Sequence, residues 1–157
     1  MKYYNLRIKQ ILVTIILIFV TIVEAYAGNH SLMSKKNSVG IRIGGLSSEL
    51  SYQRYINNLH RLEINTGVMY NRDGFIINGI YQFMMPINID NFNWYLGAGV
   101  STGAAEYFFM DGVGQIGLEY NLRIPLSFSI DWRPALRLAK KSYFESEGVA
   151  FSIRFRF

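Results

Sequence analysis

From Val39 onward, apolar and polar side chains alternate with a period of two, and no run places apolar residues at helical spacing better than at strand spacing. The last ten residues show it most clearly. Val149, Phe151, Ile153, Phe155 and Phe157 fall on one face of an extended strand, and Ala150, Ser152, Arg154 and Arg156 on the other, because successive strand side chains point to opposite sides. Residues 126–133 repeat the pattern, with Leu126, Phe128, Ile130 and Trp132 opposite Ser127, Ser129, Asp131 and Arg133. So do Ile116, Leu118, Tyr120 and Leu122 opposite Gln115, Gly117, Glu119 and Asn121. The alternation predicts eight strands, roughly 38–46, 49–57, 60–71, 74–86, 92–103, 113–124, 126–137 and 147–157, and no helix among them.

Each predicted strand matches or slightly exceeds the nine to eleven residues, roughly, that a tilted strand needs to cross a bilayer. The polar face argues for that setting. A soluble barrel hides its apolar face and shows Lys and Glu to water. Here the polar face uses Gly, Ser, Asn and Arg, with no lysine between Lys36 and Lys140, which suits a narrow filled interior and a lipid-facing exterior. The predicted fold is all-β: an eight-stranded antiparallel up-and-down transmembrane β-barrel over residues 38–157. Trp94, Phe92, Phe83 and Phe157 are expected in one aromatic girdle, and Tyr70, Phe75 and Trp132 in the other.

The connections alternate in length. Asn57-Asn58, Pro86 to Asn91 and the corner at Pro125 are short and rich in turn formers. At the other end lie Leu46 to Ser48, residues 72–74, and the two longest predicted loops, 104–112 and 139–147. Those two mix aromatics with charges, so they are candidate contacts for lipopolysaccharide or a surface partner.

The first 27 residues form a separate object. Lys2, Arg7 and Lys9 precede an apolar run from Ile11 to Val23, and Ala25-Tyr26-Ala27 supplies a small-x-small cleavage site, so Ala25 and Ala27 mark an export signal. The apolar run is shorter than the roughly 20 residues of a spanning helix. Residues 28–37 read as a flexible mature N-terminus. Cleavage takes the formal charge from +5 to +3, and the remaining cations sit at alternating strand positions rather than in a patch, which excludes nucleic acid as a partner. The chain has no cysteine, so disulfides, thiolate metal sites and thiol catalysis are absent.

Strand parity turns Arg42, Arg61, Glu63, Glu119, Arg123, Asp131, Arg133, Arg137, Arg154 and Arg156 inward. Buried charges need partners, so Arg42, Glu119, Asp131, Arg133 and Arg154 are expected to meet in one layer, with Glu63 in the same structural charge cluster. Arg154 is expected to pair with Glu119 and Asp131. Two residues resist the scheme. Arg54 falls on the outward face beside Tyr52 and Ile56, near a strand end or at a bulge, and Pro134 belongs at a rim or a bulge.

Taken together, the export signal, the eight amphipathic strands and the terminal aromatic resemble the small outer-membrane β-barrel proteins of Gram-negative bacteria, of the OmpA/OmpX type, over residues 38–157. The resemblance implies that Phe151, Ile153, Phe155 and Phe157 act as the signal read by the barrel-assembly machinery. No functional motif comes with the resemblance; the chain is expected to be a monomer in outer-membrane lipid with a structural or surface-interaction role and no cofactor. A narrow solute pore and a lipid-modifying enzyme are the alternatives. Barrel deacylases of lipid A carry a His and a Ser two residues later on one strand; His30-Ser31-Leu32 and His60-Arg61-Leu62 lack that spacing. No catalytic or metal site is expected.

Overall fold

The computed structural model describes residues 36–157 except 46, 71–72, 88, 138–143 and 147. The export signal with Ala25 and Ala27, residues 28–35 with His30, and most of the predicted loop 139–147 lie outside the described residues. Among the described residues every regular element is a strand: β1 (Asn37–Gly44), β2 (Ser47–Tyr55), β3 (His60–Met69), β4 (Phe75–Pro86), β5 (Phe92–Ala104), β6 (Phe108–Asn121), β7 (Leu126–Trp132), β8 (Ala135–Arg137), β9 (Phe144–Glu145) and β10 (Val149–Arg156). Neighbours in sequence pair antiparallel from β1 to β7, β7 pairs with β10, and β10 pairs back onto β1, which closes the sheet.

Ten elements build eight staves. Beyond Pro134, β8 continues β7 along the same edge of β6 in unchanged register, with Ile116 opposite Trp132 and Val113 opposite Ala135. On the other edge, Trp132 faces Val149 but Ala135 faces Glu145, so the last stave carries one extra residue between β9 and β10. Proline lacks the amide that would hold the ladder there, and a bulge absorbs the break. Arg133 N donates to Gly148 O at 3.0 Å and Gly114 N to Pro134 O at 3.0 Å, so the wall stays hydrogen-bonded across the gap.

The connections from β2 to β3, from β4 to β5 and from β6 to β7 define a lower rim, where both described ends of the chain also lie. Asn57 Oδ1 accepts from the amides of Leu59 and His60 at 2.9 Å each. Asn91 adopts a left-handed φ of 68°, a conformation asparagine tolerates better than most residues. The upper rim holds the connections from β1 to β2, from β3 to β4 and from β5 to β6. The predicted loop 104–112 is largely not a loop: β5 and β6 pair up to Ala104 opposite Phe108, leaving only 105–107 as the turn. The ladder extends through Phe108 and Phe109, and only Tyr107 among the loop's aromatics is left in the turn.

The two faces are inverted relative to a soluble barrel. Ile41, Ile64, Leu96, Leu118, Ile130 and Phe151 are exposed, while Ser51, Gln53, Asn65, Asn78, Gln82 and Ser152 are buried inside. Hiding each such apolar side chain from water contributes about 1.5–3 kcal/mol, which this exterior forgoes in water and recovers in hydrocarbon. Within the strands the predicted rows hold, with one departure in solvent contact. Phe155 is outward by register, opposite Val39 and Leu126, yet it is buried by contacts that include a stack on Phe157 with centroids 6.4 Å apart. Arg54 stays outward and exposed near the lower rim in regular register with Asn37 and Leu62, so no bulge turns it in.

Candidate functional site

The described interior side chains form a charge network. Arg42 on β1 donates from Nη2 to Asp131 Oδ1 at 2.7 Å and from Nη1 to Glu49 Oε1 at 3.2 Å. Arg133, just past β7, reaches Glu49 Oε2 at 3.0 Å and Glu63 Oε1 at 2.8 Å. Arg154 on β10 approaches Glu63 Oε2 at 3.4 Å and also donates to Ser51 Oγ at 3.0 Å and Ser129 Oγ at 2.7 Å. Three arginines and three carboxylates thus alternate across the lumen, drawn from β1, β2, β3, β7, β10 and the residue after β7. The planar guanidinium fork lets one arginine bridge two carboxylates, which a lysine ammonium does less well.

Glu63 is the hub. Besides the two arginines it accepts from Gln53 Nε2 at 2.5 Å, Asn65 Nδ2 at 2.8 Å and Gln82 Nε2 at 2.8 Å. Below it, Arg61 donates to Glu119 Oε2 at 2.7 Å and to Gln82 Oε1 at 2.6 Å, so Gln82 joins the lower pair to the central cluster. The Arg61 guanidinium lies 5.2 Å from the ring centroids of both Tyr55 and Tyr95. Tyr95 is fully buried, and its ring occupies the space over Gly117, where any side chain would collide with it. Near the upper rim, Arg137 pairs with Asp111 at 3.2 Å.

The expected single layer is therefore divided. Arg42, Glu63, Asp131, Arg133 and Arg154 come together, but Glu119 lies lower and pairs with Arg61; Arg154 meets Glu63 instead of Glu119 or Asp131. Arg123 is exposed in the turn 122–125 and does not point inward, because the strand ends at Asn121 before it. Glu49 is the central residue that the inward set lacks, although Ser47, Glu49, Ser51 and Gln53 share its parity. The β10 residues Phe151, Ile153 and Phe155 line the outward row along the seam with β1, and Phe157 follows at its lower end. His60 sits at the lower rim, its Nδ1 2.7 Å from the Tyr81 hydroxyl and its ring 5.1 Å from Phe83. Among the described residues no cluster of His, Cys, Asp and Glu could hold a metal ion.

Among the described residues, the carboxylates of the network accept from arginines, from side-chain amides and, at Glu49, from the Ser47 hydroxyl at 2.5 Å. Its geometry is that of a cross-brace. An eight-stranded wall encloses an interior wide enough for side chains or at most one small ligand.

Comparison with solved structures finds the same wall elsewhere. The crystal structure of the N-terminal β-barrel domain of Pseudomonas aeruginosa OprF superposes with a TM-score of 0.62 at 11% identity, over 77% of this chain and 95% of that one. The chain has the OmpA-like eight-stranded barrel fold. At that identity the OmpA-like likeness concerns the backbone and carries no side-chain role across. No family model matches the sequence, and no curated protein matches it either.

Proposed function

We propose that this chain is an integral outer-membrane barrel, exported by a cleaved signal at Ala25–Ala27, with a structural or surface-interaction role and a lumen closed by its own charges. The observation that carries this reading is the inversion of faces: a continuous apolar exterior around an interior in which Arg42, Arg61, Arg133 and Arg154 are balanced by Glu49, Glu63, Glu119 and Asp131. Water would strand the first and hydrocarbon tolerates it, because a closed ladder leaves no backbone group unpaired toward lipid. The barrel acts as a monomer in phospholipid and lipopolysaccharide. The barrel-assembly machinery engages β10 through Phe151, Ile153, Phe155 and Phe157, and Tyr107 on the 105–107 turn is the contact offered to a surface partner.

The experiment is gel mobility of outer-membrane fractions with and without boiling, joined to planar-bilayer recording of the purified protein. A boiling-dependent shift together with the absence of stable porin-sized conductance is the expected pair of results. Recovery in the soluble periplasmic fraction would overturn the location, and steady channels would overturn the closed lumen.

A further inference from the structure

The apolar exterior is not of even height. On β2 the outward row runs Ser48, Leu50, Tyr52, Arg54, so only two apolar side chains separate a hydroxyl from a guanidinium. No ion pair joins Arg54 among the described residues, and the Ser48 hydroxyl is hydrogen-bonded to that of Tyr70. On β6 the outward row runs Phe108, Met110, Gly112, Gly114, Ile116, Leu118, Tyr120 without a charged side chain, and Phe108 at its top is 71% exposed. Beside Gly112, Leu136 on β8 and then Phe144 on β9 widen the same apolar flank. At about 3.4 Å per residue and a tilt of about 40°, the β2 row from Arg54 to Ser48 spans about 15 Å of bilayer normal, and the β6 row from Tyr120 to Phe108 about 30 Å.

We infer that the barrel wears an uneven hydrophobic belt: the bilayer is thinned beside the β1–β2 hairpin, and on the β6–β8 flank acyl chains rise to cover Phe108 and Met110. This inference rests on the membrane reading above. The occupant of the tall flank is lipid, because its outward row is continuous with the lower rows that face hydrocarbon on every other stave. A bilayer adjusts to a short apolar wall by thinning and to a long one by thickening, at a modest cost per ångström, and a small barrel can also tilt. On the short side the cationic head of Arg54 reaches the headgroups at one edge while Ser48 meets them at the other.

The absence of native cysteine permits single labels. An environment-sensitive fluorophore is attached to Ser48→Cys and, separately, to Phe108→Cys in the barrel reconstituted in dioleoylphosphatidylcholine vesicles containing phosphatidylcholine brominated on its acyl chains. Boiling-dependent gel mobility confirms folding of each variant. The expected result is quenching at position 108 stronger than at 48 by roughly threefold or more. A level bilayer around an upright barrel gives the reverse order, because the β5–β6 turn stands above the β1–β2 turn, and equal or reversed quenching overturns the inference. Labels at Ile64→Cys and Leu118→Cys separate the two failures. Deep quenching there with the wrong order at 48 and 108 sinks only the uneven belt, whereas no quenching there sinks the membrane reading with it.

Discussion

Replacing Glu63 by glutamine keeps the shape of the hub and removes its charge. Arg133 loses a partner at 2.8 Å but keeps Glu49 at 3.0 Å; Arg154 loses its carboxylate at 3.4 Å and keeps only the hydroxyls of Ser51 and Ser129. The new amide would also point donors at Gln53, Asn65 or Gln82, all of which already donate to this site. An uncompensated charge left by breaking a buried pair costs about 3–5 kcal/mol, and that is the loss expected here. The assay is urea unfolding in phosphatidylcholine vesicles, followed through Trp94 and Trp132 and by gel mobility, with linear extrapolation to water. Adding Arg154→Gln restores the balance of charges inside, so the double variant should be less damaged than the sum of the two singles by about 1–3 kcal/mol. A single-variant loss below about 1 kcal/mol, or strict additivity, would refute the brace.

Ile64→Arg places a cation on the lipid face away from either rim and should cost about 2–4 kcal/mol in the same assay, while Arg54→Leu should cost nothing. Gly117→Ala drives a methyl into the buried Tyr95 ring and should lower stability by about 1–3 kcal/mol, with Tyr95→Ala on that background recovering part of it. Deleting Phe157 should reduce the boiling-shifted protein in outer-membrane fractions more than Tyr107→Ala does; equal yields of the two variants would remove the assembly role from the terminal aromatic.

Alternation made the staves legible, since the parity of Leu126, Phe128, Ile130 and Trp132 needs no tertiary knowledge. Parity also turns Glu49 inward, so its role was available in the chain. The pairing of Arg61 with Glu119 was not. These residues stand on β3 and β6, and their meeting depends on the register of every ladder between them; a slip of two residues preserves each face while changing who meets across the lumen. The same ambiguity separated Arg154 from its expected partners. The height of the β5–β6 hairpin was hidden for another reason: Phe108, Met110 and Gly112 alternate with Phe109, Asp111 and Val113 as a strand should, but the charged and aromatic mixture around Glu106 resembles a loop. Pro134 signalled a break without saying that the extra residue would appear on the neighbouring stave.

The seam between β1 and β10 joins the first described strand to the last, with Ser38 opposite Arg156 and Gly44 opposite Ala150. Arg154 crosses that seam's interior to reach Ser51 on β2 and Glu63 on β3, so its neutralisation needs both ends of the chain at once. In the outer-membrane setting proposed above, an unfinished chain would present unneutralised cations and two open strand edges to hydrocarbon. Insertion would then be all-or-none: the last strand has to be in place before the first is at home in the bilayer, and truncated products would stay outside it.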